Sequence, residues 1–239
     1  MKLAADLHIH SCLSPCGDDD NTPNNIVGMA AIKGLDIIAV TDHNSAQNLP
    51  AVAKLCDEAG LLLLPGIEVQ TVEEVHVLCY LPTVEAALCL SATLYEHLAD
   101  IPNSAMIFGN QYMMNENDEV TGQVEKLLIN SVDFSIDKLY EIVMELGGIC
   151  VPAHINRPSN SLMGILGFIP LSPPFTAMEI CPTLEAPTVD TSAYHILYSS
   201  DAHYLGDILE RSSFIEVSEP TAAALIHKLK EAKNNGENT

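Results

Sequence analysis

With 239 residues, 48% of them apolar and 18% charged, the chain is long enough to bury a large core, and its composition excludes disorder over most of its length. Ten Lys and Arg face 32 Asp and Glu, a formal net charge of −22, which argues against an extended basic surface for long nucleic acid. The opening MKLAADLHIH lacks the apolar run of a signal peptide, and no stretch of about 18 uncharged apolar residues suits a bilayer, so a cytoplasmic protein with no membrane partner is expected.

In chain order, short β-branched or aliphatic runs alternate with helical patterns, the mark of βα units around a mostly parallel sheet in an α/β fold. A strand at 2–8 is followed by a helix over 22–34, with Thr22 as cap, Pro23 at the first helical position and Gly34 closing it. Strand 35–40, a helix near 49–58 stopped by Gly60, strands 61–69 and 75–81, and a helix over 83–99 come next. Residues 100–134 read as an irregular excursion from the barrel or sheet, too short for a domain of its own. Ser135 caps a helix that Gly147 and Gly148 end. Strands at 149–154, 176–180, 195–200 and 213–217 lead to a final helix near 221–233, with Ala223, Ile226 and Leu229 on one face, and the tail 233–239 is expected to fray. There is no internal repeat, and the whole of 1–239 is taken as one domain.

The seven cysteines are scattered, mostly inside apolar runs such as 77-VLCYL-81, as reduced core thiols. Cys12 and Cys16 lack the second cysteine pair that a four-thiolate zinc site needs, and are assigned to loop packing. Only two residues are arginines, Arg157 and Arg211, so an anionic substrate has to be met by a local positive centre.

The informative pattern is positional. Strand after strand ends in a side chain competent to bind metal: His8 and His10, then Asp42 and His43, Glu68, His154, and Asp201 and His203, with His76 near the start of its strand. One HxH pair is weak, since alternate strand residues share a face by default. Five histidines and three acids at strand ends, amid otherwise apolar strands, are hard to explain as satisfied core polars, because each buried charge needs a partner. Where carboxyl ends of parallel strands converge on one rim, such residues meet in one pocket. His97 and His227, in helices, and His195, which opens a strand, are structural. The triplet Asp18-Asp19-Asp20 flanks a helix start, where negative charge is favoured. One of the three, Asp18 ahead of Asp20, lies where the loop can fold back and offer an oxygen ligand.

These residues are those of a known family: the chain resembles the polymerase and histidinol phosphatase (PHP) family in its stand-alone bacterial phosphoesterase branch. The matching motifs are 8-HIH-10, 41-TDH-43, 66-GIE-68 with the histidine of 75-VHVL-78, 152-PAH-154 and 200-SDAH-203, in family order. The resemblance implies a distorted (β/α)7 barrel with up to three divalent ions at the carboxyl rim. It further implies that His8, His10, Glu68 and Asp201 hold one ion, that Glu68 bridges to a second held by His76 and His154, and that His43 and His203 hold a third with the loop acid, Asp18. Asp42 would orient a ligand histidine from behind. The loop 11–20 is longer than the short Ser-Asp-Gly form common in the family, which leaves Asp18 the least anchored of the nine.

Imidazole and carboxylate donors suit zinc, manganese or iron, two to three ions in all, and sequence does not choose among them. Such ions activate a bridging hydroxide, here held by Glu68 with no separate side-chain base, for attack on a phosphoester. Arg157, three residues after His154, is placed to grip phosphate, and Arg211 is a weaker candidate. The expected substrate is a small phosphorylated metabolite, a nucleotide or a short oligonucleotide end. Competing readings are a regulatory metal-binding module without catalysis, which predicts lost ligands, and metal-dependent hydrolysis of a carbon–nitrogen or ester bond, which the absence of a strand-end lysine for carboxylation weighs against.

Overall fold

Strand β1 (Lys2–Ile9) is buried from Leu3 onward, on both faces, which is why it reads as an apolar run instead of an alternating one. In the computed structural model, which describes residues 1–233, all but the first residue of the expected fraying tail lies outside the described residues. Helix α1 (Pro23–Ile32) begins as its sequence requires: the Thr22 hydroxyl accepts the Asn25 backbone N–H and Pro23 occupies the first turn. Strand β2 (Ile37–Val40) then lies parallel to β1, Ala5 opposite Ile37 and Ile9 opposite Val40. Helix α2 (Leu49–Ala59) stops at Gly60 in the left-handed conformation, φ 70°.

The run 61–69, expected as one strand, is interrupted at Pro65, which has no N–H to give a ladder. Strand β3 (Leu62–Leu63) pairs parallel with β2, while β4 (Gly66–Gln70) pairs antiparallel with β5 (His76–Tyr80). The connection over 71–75 is far too short for the crossover that a parallel pair demands, so a hairpin forms. Helix α3 (Val84–His97) precedes the excursion. That segment is more regular than expected: it holds one helical turn, α4 (Ala105–Phe108), and an antiparallel pair, β6 (Tyr112–Met114) and β7 (Val120–Gln123).

Helix α5 (Ile136–Glu145), capped by Ser135, buries Ile136, Leu139 and Val143, and β8 (Ile149–Pro152) pairs antiparallel with β5. A short helix α6 (Leu162–Leu166), not anticipated from the sequence, follows. Strands β9 (Ala177–Ile180) and β10 (His195–Tyr198) are parallel, and β11 (Phe214–Glu216) runs antiparallel to β1. The last helix, α7 (Ala222–Lys230), buries Leu225 beside Ile226 and Leu229, while Ala223 faces out.

The fold is α/β, but its ladders form separate sheets in the orders β11-β1-β2-β3, β4-β5-β8, β9-β10 and β6-β7, and no closed barrel is formed among the described residues. The mostly parallel sheet expected from sequence is also corrected, since β5 is antiparallel to both neighbours. Isolated parallel bridges, Ile9 to Ala202 and His43 to Glu68, cross two of the gaps between sheets. Both fall beside the strand-end histidines. Tyr80, fully buried, donates its hydroxyl to the Leu7 carbonyl at 2.8 Å and ties β5 to β1 through the interior. No helix among the described residues is long and apolar enough to cross a membrane.

Gly66, two residues before Glu68, is required by close approach: a Cβ there would stand 2.8 Å from the Thr41 methyl and 3.0 Å from the Tyr80 ring. Gly66→Ala is expected to overpack this seam and cost about 1–3 kcal/mol in urea unfolding. Unchanged stability would show that β4 can move away freely.

Candidate metal centre

Alternate residues of a strand share a face, so β1 delivers His8 and His10 together. His8 Nδ1 lies 3.0 and 3.1 Å from the two carboxylate oxygens of Glu179, which assigns the proton to that nitrogen and leaves Nε2 facing inward. His8 Nε2 is 3.2 Å from His10 Nε2 and 3.3 Å from both Glu68 Oε1 and Asp201 Oδ1. His10 Nε2 is in turn 3.3 Å from Glu68 Oε2 and from Asp201 Oδ1. Its other nitrogen meets Ser14 Oγ at 3.0 Å, and Ser14 donates to Asp42 at 2.7 Å. Asp42 therefore stands behind His10 at one remove, through a serine.

Glu68, on β4, is the common partner. Its Oε1 is 2.9 Å from His76 Nδ1 and 3.2 Å from His154 Nε2, and its Oε2 is 3.2 Å from His43 Nδ1. His76 Nε2 meets Gln70 Oε1 at 3.1 Å, so its proton belongs there and its lone pair points at the Glu68 carboxylate. Buried polar atoms are nearly always paired, yet His43 Nδ1, His76 Nδ1 and His154 Nδ1 have no hydrogen-bond partner. Lone pairs and carboxylate oxygens crowded at about 3 Å are reconciled by cations between them, and the cluster fits a metal site.

Three groups have ligand atoms within 4.8 Å of one another: His8, His10, Glu68 and Asp201; His43, Glu68 and His76; and His10, Cys16, His43 and His203. Of the nine residues anticipated, eight meet at this centre. His154 touches Glu68 but belongs to none of the three groups. Asp18 is absent from all three: its Oδ1 accepts the Asp20 backbone N–H and its own N–H donates to the His203 carbonyl. Asp19 and Asp20 are exposed, Asp19 accepting from Asn110. The loop side chain that does reach the histidines is Cys16, which the sequence reading had set aside for packing. Its signal was its position, six residues after His10 in a loop already suspected of folding back.

Strain gathers here as well. His154 and Asp201 adopt positive φ, 29° and 55°, at the ends of their strands, conformations that β-carbon-bearing residues rarely hold without compensation. Asp6 secures the second of these ends, accepting the Ser200 N–H and hydroxyl and the Leu209 N–H, while burial pushes its carboxyl up. Glu179 also accepts the His154 backbone N–H at 2.9 Å. Sequence reasoning missed both Asp6 and Glu179. Each was visible as a lone acid inside an apolar strand, a buried charge in need of a partner.

Electrostatics separates the histidines. Burial opposes protonation of His8, but Glu179, Glu68 and Asp201 raise it well above its ordinary value, and His10 is pushed up to about 9 by Asp201 and Glu68 against the same burial. Burial and the neighbouring histidines, against the carboxylates, instead hold His43 well below its usual range and His203 down at about 4. Against burial, His76, His8 and His43 keep Glu68 well below the carboxylate range, and His8 and His10 do the same for Asp201. Desolvation of its sulfur among the cluster side chains, with Glu68 and Asp201, pushes the Cys16 thiol up to about 12, although the residue as a whole is exposed.

These groups open into a cleft of about 230 Å³ lined by Cys16, His43, Glu68, His76, Arg157 and His203, with Ile129 of the excursion on its wall. Arg157 Nη1 donates to Asp201 Oδ2 at 2.9 Å, so the expected phosphate ligand does stand beside the cluster. A roomier cleft of about 510 Å³ around Asn44, Tyr95 and Met113 is lined by neither histidine nor arginine. His97, His195 and His227 sit elsewhere, on Asp133, the Glu231 carbonyl and the Glu231 carboxylate, and Arg211 pairs with Asp36.

Two outcomes follow from this wiring. Glu179→Ala frees the His8 ring and is expected to weaken zinc binding about 10- to 100-fold by competition with a chelating dye; unchanged affinity would make Glu179 a packing residue only. Because His8 and His10 hold protons with raised affinity, zinc uptake near pH 7 displaces them, so binding tightens as pH rises toward 9 and weakens as it falls. Proton release in weakly buffered solution measures this, and uptake without release would contradict the charge states given above.

Known proteins share the fold and part of the sequence. A phosphoribosyl 1,2-cyclic phosphate 1,2-diphosphodiesterase of Eggerthella lenta is 32% identical over 81 residues, 32% of this chain and 30% of that protein. Across the curated relatives, the match spans less than half of each protein's length. Endonuclease Q of Pyrococcus furiosus shares the fold with a TM-score of 0.66 at 20% identity, over 96% of this chain and 56% of that one. A candidate metal-dependent phosphoesterase of Bifidobacterium adolescentis gives 0.59 at 18% identity, over 94% of each chain. Endonuclease Q has also been seen with a 27-mer duplex whose abasic lesion lies at its active site, again with this fold (TM-score 0.64, 18% identity, 98% of this chain and 58% of that one). The fold is thus found in a protein that binds duplex DNA, so the fold by itself does not exclude an extended nucleic-acid surface. Residues 6–161 match the family defined by the PHP domain, and the chain belongs to it.

Proposed function

We propose that this protein is a metal-dependent phosphoesterase whose centre is assembled on Glu68 and whose substrate phosphate is oriented by Arg157. The observation that carries this reading is that one buried carboxylate lies within 3.3 Å of five histidine rings while an arginine hydrogen-bonds a second carboxylate of the same cluster. His8, His10, Glu68 and Asp201 would hold one ion, and Glu68 with His76 and His154, both on its Oε1, a second. Two to three ions of zinc, manganese or iron suit these donors. When bound, they supply a hydroxide nucleophile at neutral pH and draw charge from the phosphoryl oxygens.

The protein's own residues do the rest. The two oxygens of Glu68 face different histidines, Oε1 toward His8, His76 and His154 and Oε2 toward His10 and His43, the division a bridging carboxylate needs. Asp201 holds Arg157 Nη1, leaving the other donors of the guanidinium fork for a phosphate at the rim. Gln70 and Glu179 hold the rings of His76 and His8 in place. Ile129 closes one side of the cleft, so the excursion serves as part of the substrate cover.

At about 230 Å³ the cleft is smaller than the roughly 300–1,000 Å³ common for drug-sized ligands, which favours one phosphate group with part of its leaving group. A small phosphorylated metabolite, a nucleotide or the end of an oligonucleotide fits that size. A regulatory module without catalysis is disfavoured, since no expected histidine is missing. We further propose that residues 1–239 act as a single PHP-type domain and that its open sheets are arcs of a distorted seven-stranded barrel, supported by the bridges Ile9 to Ala202 and His43 to Glu68.

Turnover of phosphomonoesters, cyclic phosphates, nucleoside bisphosphates and short oligonucleotides by the metal-loaded protein tests this reading. His8→Ala is expected to abolish turnover, and Arg157→Ala to raise KM and lower kcat/KM by about 10- to 100-fold, worth roughly 1.5–3 kcal/mol for a charged hydrogen bond. Full activity of His8→Ala, or metal bound tightly with no phosphoester hydrolysed, would overturn it.

A further inference from the structure

The loop after β1 carries a thiol whose placement no other feature explains. Cys16 is exposed at the rim, yet its Sγ lies with ligand atoms of His10, His43 and His203, all within 4.8 Å of one another. The position is held firmly. Pro15 before it is buried, and Gly109 of the excursion, at φ 100°, comes so close that any Cβ there would collide with the Pro15 carbonyl. Gly17 after it donates to the Ser14 carbonyl at 2.9 Å and has no room for a Cβ, which would stand 2.6 Å from the Ser11 carbonyl. The next residue, Asp18, donates its N–H to the carbonyl of His203 itself, and Tyr112 N–H is bound by the Cys12 carbonyl. The 100–134 segment and the SDAH loop thus clamp Cys16 from both sides.

The donor count sharpens the assignment. His10 has one nitrogen on Ser14 and turns the other toward Glu68 and Asp201, so it belongs with the first ion. His203 places Nδ1 2.8 Å from the Asp201 carbonyl, which puts the proton there and leaves Nε2 as a free lone pair. His43 is buried and its Nδ1 has no hydrogen-bond partner. What remains for a further cation is one thiol and two imidazoles, with the rim side open. Three protein donors of nitrogen and sulfur with an open position are a set that would suit zinc and disfavour magnesium, whose preference is for oxygen.

We propose that Cys16, with His43 and His203, holds a cation through its thiolate, so that the loop contributes sulfur where an oxygen ligand was expected. Binding releases the thiol proton to solvent and forms one metal–sulfur bond. The assignment rests on the metal-centre reading above and adds to it the identity of one donor and a preference for thiophilic ions. It also gives the excursion a second role, that of bracing the ligand loop.

The test uses the full-length protein loaded with cobalt(II), with metal content measured beside the absorption spectrum. Wild type and Cys89→Ser, which alters an exposed cysteine of α3 outside the ligand groups, are expected to show sulfur-to-cobalt charge-transfer absorption in the near ultraviolet. Cys16→Ala is expected to lose that band and one equivalent of cobalt. Cys16→His is expected to restore the equivalent without the band, which separates ligand loss from misfolding. Cobalt bound by wild type with no sulfur band, or a band that survives in Cys16→Ala, would overturn the Cys16 assignment while leaving the histidine–carboxylate centre standing. No cobalt bound by wild type at all would overturn both.

Discussion

A single buried carboxylate organises this molecule. Glu68 sits at 1% exposure within 3.3 Å of five histidine nitrogens, and those rings offset the cost of burying its charge. The strands that supply the carboxylate and the rings, β4 for Glu68 and β1, β5 and β8 with the turn after β2 for the histidines, belong to two different sheets. The carboxylate and its histidines are therefore what the two sheets share at this end. The bridge between His43 and Glu68 and the close approach of Gly66 to Thr41 and Tyr80 are the backbone expression of the same meeting.

Around this point the protein spends polar residues in layers. Glu179, Gln70, Ser14 with Asp42, and the Asp201 carbonyl each engage the far nitrogen of one histidine and so decide which nitrogen faces inward. Asp6 does the equivalent for a backbone, bracing the loop that turns Asp201 into positive φ. On the proposed reading, an acidic chain with two arginines attracts an anion locally, because cations held at the centre and Arg157 at its rim would outweigh a distant negative field in a small cleft.

The excursion between α3 and α5 changes meaning once its contacts are known. It was legible only as a departure from regular βα alternation. In three dimensions its hairpin lies against the loop after β1, Gly109 on Pro15 and Tyr112 on Cys12, while Ile129 walls the cleft. Neither the hairpin nor its partner loop shows this in its own sequence, since the contacts join residues 94 and 100 positions apart and rest on backbone approach instead of side-chain pattern.

The sequence by itself determined the helix starts at Thr22 and Ser135, the stop at Gly60, and the convergence of the strand-end histidines, Glu68 and Asp201, because caps, turns and repeated buried polar residues are local signals with local causes. It also held, unread, the lone acids Asp6 and Glu179. Tertiary structure alone decided that β5 runs antiparallel between β4 and β8, that the ladders leave no closed barrel among the described residues, and that Cys16 and not Asp18 reaches the histidines. Strand direction depends on what each strand meets across the sheet. Which loop side chain reaches the histidines depends on how ten residues are folded by the glycine beneath them and the carbonyl beside them, neither of which their own order specifies.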